Sequence, residues 1–401
     1  MVRIRPPVMA QIPDFKAPPP LSLYIHVPWC TRKCPYCDFN SHEPRGDIPE
    51  SEYIAALVAD LEHDLPRVWG RPVETVFIGG GTPSLLRPES VDRLLSEVRA
   101  RVPLRPGAEI TLEANPGTVD QARLTELKAA GINRLSIGVQ SLDDELLRRI
   151  GRIHDATAAR SAAEGAIAAG FDNWNIDLMY GLPGQSVAGA QADLRAALAL
   201  GAPHVSHYQL TIEPNTAFHH APPATADDDA LWEMQEHCRE LFATAGYDQY
   251  EVSAWARPGH RCEHNLNYWL FGDYLGIGAG AHAKITVVSS QSVERCSRLR
   301  SPRDYLAGEG ATRIAERRRL ETAADLGLEF MMNALRLSAG FHRRVFEEHA
   351  GIPLMLFERE LARAEALGLI ERDHLRIWPT ERGRRYLNEL LMLFMAADQL
   401  A

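Results

Sequence analysis

The chain has 401 residues, 45% apolar and 24% charged, with 53 Asp and Glu against 43 Lys and Arg for a net charge of −10. That length holds two or three domains at roughly 100–200 residues each, and the composition excludes a disordered, collagen-like or low-complexity chain. No apolar run reaches the ~18 residues that span a bilayer, an acidic chain is a poor bulk ligand for nucleic acid, and six Cys are too sparse for a disulfide scaffold.

Residues 1–20 are proline-rich and lack the apolar core of a secretory signal. They read as a flexible leader, and the compartment as the reducing cytoplasm. From Leu21 to Thr211 apolar strand-like runs alternate with helical stretches six times. The strands are expected at Leu21–Val27, Val73–Ile78, Glu109–Ala114, Arg134–Val139, Asn175–Tyr180 and Val205–Thr211. Continuous apolar runs of this kind suit strands buried on both faces, hence a parallel sheet covered by helices with right-handed crossovers. Six units make an open doubly wound sheet or a partial barrel, and periodicity does not separate the two. Asp227–Ala245 reads as one more helix opened by an acidic cap. Tyr250–Ser297 is aromatic and glycine-rich with little periodicity. Within it, Gly276–His282 has the look of a dinucleotide loop but neither follows a clear strand nor opens a clear helix. Arg313–Glu321 reads as a solvated helix start or linker. Helices over Ala323–Leu337, Phe341–His349 and Leu354–Leu367, a short strand at Leu375–Trp378 and a last helix over Thr380–Ala397 resemble a winged-helix module. Between Phe341 and Leu390 nine Arg balance nine Asp and Glu, which favours a packing or partner surface over DNA. The segments are then residues 1–20, 21–245, 246–312 and 313–401.

The strongest chemical signal is Cys30-x3-Cys34-x2-Cys37, directly after the first strand. Three thiolates within eight residues can close on one metal centre. Structural zinc takes four ligands, and a [4Fe–4S] cluster normally takes four Cys. Only three are local here, so either a distant residue completes a zinc site or a cluster keeps one iron open for a small-molecule ligand. Three unrelated buried cysteines are the plain alternative.

The cysteine spacing, placed after a first strand and followed by Gly79-Gly80-Gly81-Thr82-Pro83 after the second, resembles the radical S-adenosylmethionine (SAM) superfamily. The resemblance implies a partial (β/α)6 barrel with a small C-terminal winged-helix-like α+β domain. It also implies a [4Fe–4S] cluster on Cys30, Cys34 and Cys37, and SAM chelated to the open iron. Within that superfamily the segments Tyr24–Cys30, Gly79–Pro83, Gly138–Ser141, Gly151–His154 and Asn175–Pro183, together with Glu113, are similar to the coproporphyrinogen dehydrogenase group over roughly Leu21 to Leu391. Carried over by position, Tyr24, Gly80 and Glu113 would touch the cluster-bound SAM. Tyr36, Gly81, Thr82, Gln140, Arg152 and Asp177 would hold a second SAM or shape that end of the pocket. The chain departs from the dehydrogenase pattern at Phe39, where that group has a further Cys. Phe39 and the segment His264-Asn-Leu-Asn-Tyr-Trp269 instead resemble the sister group of heme chaperones. The resemblance implies heme as cargo, respiratory hemoproteins as acceptors, and membrane association only through such a partner, with no nucleic acid. His264 offers an imidazole for iron, although a lone His in an aromatic stretch is also a common core residue. Cys262 is a second candidate ligand, and a small buried hydrophobe is its plain reading. The alternative function is oxygen-independent oxidative decarboxylation of coproporphyrinogen III.

Overall fold

The structure is a computed structural model and describes residues 12–395. Strands and helices alternate as β1 (Leu21–Val27), α1 (Glu50–Asp64), β2 (Val73–Gly80), α2 (Pro88–Arg101), β3 (Leu104–Ala114), α3 (Gln121–Ala129), β4 (Arg134–Gln140), α4 (Asp144–Arg149), α5 (Ala156–Ala168), β5 (Trp174–Tyr180), α6 (Val187–Ala199) and β6 (His204–Gln209). The local reasons are visible in the sequence. Asp120, Asp143, Asp155 and Ser186 each accept a backbone N–H at the start of α3, α4, α5 and α6, as N-cap side chains do. The strands are buried on both faces, with six of the seven residues of β1 and of β5 inaccessible. The six strands pair in parallel and in sequential order, which is the half-barrel expected. Their C-terminal ends therefore gather on one rim, where sites form in this class of fold.

The region after β6 contains α7 (Ala217–His220), α8 (Asp228–Thr244), β7 (Asp248–Glu251), β8 (Ala254–Ala256), α9 (Glu263–Trp269), β9 (Asp273–Ile277), β10 (His282–Val287), β11 (Ser292–Arg298), α10 (Pro302–Ala307) and β12 (Ile314–Leu320). The sheet thus grows to twelve strands in the order β12-β11-β10-β9-β1-β2-β3-β4-β5-β6-β8-β7. The stretch without periodicity is folded into the sheet, and Arg313–Glu321 is its outermost strand rather than a helix start or linker. Hydropathy hides these strands because they bury charge in pairs. Lys284 meets Asp273 at 3.1 Å, and Arg298 meets Asp60 at 2.8 Å and Asp64 at 2.6 Å, all almost fully inaccessible. In β12 five of seven residues are exposed, as suits a charged edge. Gly276 lies in β9, so the glycine-rich stretch follows a strand and leads into another, with no helix for a dinucleotide.

A second core lies in the C-terminal part. It is built from α11 (Ala323–Ala334), β13 (Phe341–His342), α12 (Arg343–Ala350), α13 (Glu358–Ala366), β14 (Ile370–Arg372), β15 (Arg376–Pro379), α14 (Glu381–Arg385) and α15 (Leu387–Met392). A three-stranded sheet in the order β13-β15-β14 gives the winged-helix arrangement. The last expected helix is two short ones, because Tyr386 leaves helical geometry at φ −111°, ψ 47°; its final residues, 396 and 397, lie outside the described residues. Residues 1–11 of the expected leader lie outside them too. Residues 12–20 are pinned rather than free. Phe15 is buried in the C-terminal core and Gln291 bonds its backbone on both sides.

Candidate functional site

Cys30, Cys34 and Cys37 sit in the loop that leaves β1 over the rim. The loop is closed by Cys30 N–H to His42 O at 3.0 Å and His42 N–H to Pro28 O at 2.7 Å. All three are free thiols and face one recess with Tyr36, Gly80, Gly81, Thr82, Glu113, Gln140, Arg152 and Asp177. The structure therefore brings together every expected site residue except Tyr24 and His264, which line the neighbouring cavity, and Cys262, which is buried against Glu109. Each sulfur has a polar neighbour. Thr82 Oγ1 donates to Cys30 at 3.2 Å, Arg152 Nη1 to Cys34 at 3.6 Å, and Ser41 Oγ lies 3.8 Å from Cys37. Burial raises the Cys30 and Cys37 thiols, so they become thiolates most readily when a metal takes the place of the proton. Among the described residues no three His, Cys, Asp or Glu side chains converge on a single-ion site. A four-iron cubane has no need of such convergence, because each thiolate binds a different corner. The donor set and its polar neighbours fit that group.

The glycine turn is required by close approach. Gly80 has φ +117°, and a Cβ there would lie 2.5 Å from the His26 ring; one on Gly81 would lie 2.5 Å from the Trp29 carbonyl oxygen. The turn thus packs against the base of the cysteine loop and leaves its backbone on the recess. Glu113 ends β3 and accepts the Gly80 N–H at 2.9 Å. Burial, then the charge of Asp177, pushes its carboxyl up to about 8. Asp177 is also raised by burial, and Asn175 Nδ2 donates to it at 2.7 Å. Gln140 holds the left-handed region at φ 72° and accepts from Tyr208 OH at 2.7 Å. Strain of this kind is held by the surrounding structure and gathers at sites. Arg152 reaches Gly138 O at 2.5 Å, and among the described residues its buried Nε has no partner. A donor left open at the recess suits a carboxylate-bearing ligand.

Gly80, Glu113 and Phe39 also border a second, larger cavity of about 900 Å³, with Tyr24, Phe77, His264, Tyr268, Trp269 and His282 among its walls. That volume lies at the upper end of cofactor-sized pockets. His264 comes from α9. Its ring lies 5.1 Å from that of Phe77, and its Nδ1 is 2.8 Å from Thr75 Oγ1. Thr75 directs its own proton to Ser22 Oγ at 2.8 Å, so Nδ1 donates and Nε2 carries the lone pair. Burial lowers the imidazole to about 3. It is neutral at working pH, the form that binds iron. Cys262 is different. It is fully buried, its thiol donates to Glu109 at 3.4 Å, and burial raises it to about 12. It lines neither the recess nor the large cavity, and its buried setting is that of a structural thiol.

Sequence reasoning missed Glu109. Cys262 offers α9 no side-chain cap. Instead Glu109, on β3, accepts the Glu263 N–H at 3.2 Å and the His264 N–H at 3.1 Å, with buried Arg134 at 3.7 Å behind it. The helix that carries His264 is thus bolted to the barrel by its N-terminus. Its other end meets the C-terminal core, where Arg336 lies 4.4 Å over the Trp269 ring and Phe271 packs 5.9 Å from Phe330. A carboxylate 154 residues upstream leaves no local signal for such a cap.

A three-cysteine loop over the open rim of a parallel half-barrel defines a radical SAM protein, and residues 24–197 match the Radical SAM superfamily model. Residues 322–386 match the HemN C-terminal domain. The solved structure of coproporphyrinogen III oxidase (HemN) from Escherichia coli, described as a Radical SAM enzyme, superposes with a TM-score of 0.78 at 24% identity, covering 94% of this chain and 90% of that one. At the level of sequence the chain is 49% identical to the heme chaperone HemW of Escherichia coli (strain K12), over 94% of this chain and 99% of that protein. It is 34% identical to the heme chaperone HemW of Bacillus subtilis (strain 168), over 93% and 99%. The chain belongs to the HemW heme chaperone family.

Proposed function

We propose that the chain is a cytoplasmic heme chaperone that holds heme in the 900 Å³ cavity, beside a SAM-coordinating cluster, and hands it to respiratory hemoproteins. The observation that carries the reading is His264: an imidazole on a clamped helix, with its outer nitrogen unprotonated, facing a cavity large enough for a porphyrin. When bound, the cluster supplies an open iron that chelates the amino and carboxylate groups of SAM. Cys30, Cys34 and Cys37 hold it. Gly80 lets the backbone approach the cosubstrate, and Tyr24 and Glu113 would touch it, the Glu113 carboxyl being placed for its hydroxyls. Arg152, with Gly81, Asp177, Gln140, Thr82 and Tyr36, would hold a second SAM or shape that end of the recess, the guanidinium being suited to a carboxylate not taken by iron. Because Gly80 and Glu113 wall both spaces, occupancy of one is felt in the other, which lets SAM gate heme. Phe39, more than half exposed, stands at the mouth of both. Among the described residues no helix is long and apolar enough to cross a membrane; contact with the membrane comes through an acceptor protein.

Titration of hemin into the full chain tests the reading. The wild type is expected to give a saturable Soret shift, and His264→Ala to weaken the affinity at least tenfold with an altered band. Equal affinity and an identical spectrum in His264→Ala would place the iron elsewhere.

A further inference from the structure

Three imidazoles line the large cavity: His26, His264 and His282. His26 has no nitrogen to offer, since Nδ1 is 2.9 Å from Tyr24 OH and Nε2 is 2.8 Å from Asn40 O. His264 has one, as shown above. His282 has no hydrogen-bond partner on its ring among the described residues, and it is exposed at the cavity wall. The cavity therefore presents two imidazoles able to bind iron.

The sheet sets how these two stand. Gly276 pairs with Tyr24 across β9 and β1, and Tyr24 pairs with Phe77 across β1 and β2. Those three residues form one row across the sheet, about 10 Å long at two strand spacings. His264 stands on the Phe77 end of the row. At the other end a Cβ on Gly276 would overlap the backbone of His282, so β10 leans over the cavity at the one residue that leaves room for it. Between the two imidazoles the floor is aromatic, the Tyr24 and Phe77 rings lying 6.2 Å apart and nearly parallel. A flat porphyrin standing edge-on over that floor would have one imidazole on each face.

We propose that His282 is the second axial ligand of the heme, opposite His264, so that the cargo iron is six-coordinate and low-spin while stored. The proposal rests on the heme reading above and names the ligand on its other face. It has a consequence for transfer. Iron closed on both faces leaves no position for oxygen or peroxide, and release to an acceptor requires one bond to break. His264 is fixed by Thr75 and Phe77 on a helix tied to the barrel, whereas His282 is exposed and unbonded. His282 is the ligand that leaves first, vacating the face that an acceptor's own ligand would take.

The test uses ferric hemin bound to the full chain, with visible and low-temperature EPR spectra of the wild type, His264→Ala, His282→Ala and His282→Gln. The wild type is expected to be low-spin. Both His282 variants are expected to keep hemin but become high-spin, and added imidazole should restore the low-spin signal. A high-spin wild type, or a low-spin spectrum that survives in both His282 variants, would overturn the assignment of His282 while leaving heme binding intact. Failure of the wild type to bind hemin would overturn the heme reading itself and this proposal with it.

Discussion

Glu109 is expected to be worth more to this fold than a surface carboxylate, because one side chain both caps the helix of His264 and balances Arg134. Both partners are nearly inaccessible, at 5% and 2% exposure. Glu109→Ala leaves the Arg134 guanidinium buried beside no carboxylate at that position, a loss of about 3–5 kcal/mol. It also strips the acceptor from the N–H groups of Glu263 and His264, each worth ~1–3 kcal/mol when left unsatisfied and less where water enters. A total of about 5 kcal/mol or more is comparable with the ~5–15 kcal/mol that holds a typical domain together. Glu109→Gln keeps one acceptor oxygen and loses the charge, so about 2–3 kcal/mol is expected. Urea denaturation followed by circular dichroism measures both, and amide hydrogen exchange over residues 263–269 should accelerate in the Gln variant before the rest of the sheet opens. Stabilities of all three proteins within 1 kcal/mol, with unchanged exchange in α9, would mean that the carboxylate neither caps the helix nor balances Arg134.

Cys30→Ala should abolish the broad iron–sulfur absorbance of anaerobically reconstituted protein, and full absorbance in the variant would remove the cluster from this loop. The cofactor-free chain should lose stability as the pH falls. Burial holds His26 and His154 down at about 4 and His207 at about 3, against an ordinary 6.5. The unfolded chain therefore takes up protons first, and the stability present above pH 6.5 drains away toward pH 4. At pH 5.5 each group costs about 1.4 kcal/mol, roughly 4 kcal/mol for the three; Glu113, its carboxyl raised to about 8, offsets about 2 kcal/mol of this by protonating more easily in the folded chain, and a net loss remains. Denaturation midpoints that do not move between pH 7.5 and 5.5 would show that these rings are not held neutral.

The parallel half of the sheet is readable from the sequence because its strands are apolar on both faces, as in Leu21–Val27 and Trp174–Tyr180. The antiparallel wing is not, because β9, β10 and β11 bury charge: Asp273 and Lys284 pair with each other, and Asp273 and Arg298 also take partners from far upstream, Arg71, Asp60 and Asp64. A hydropathy pattern registers such residues as surface. The same division runs through the site. Cys30, Cys34, Cys37 and the glycine turn are contiguous in sequence and carry their own spacing. Tyr24 and His264 fall in the larger cavity, a distinction no spacing contains. The clamp of α9 by Glu109 and Arg336 and the seat of His282 over Gly276 arise only when strands far apart in sequence are laid side by side.

Heme transfer is the most direct measurement. The chain is loaded with hemin, freed of excess, and mixed with a heme-free respiratory hemoprotein, and the Soret band is followed as it moves from one protein to the other. Movement to the acceptor faster than the loss of heme to a passive scavenger, and slowed in His264→Ala loaded to the same level, is the expected result. Heme that stays with the chain or leaves no faster than it does to the scavenger, together with conversion of coproporphyrinogen III under anaerobic reducing conditions with SAM, would contradict it and make the protein an enzyme.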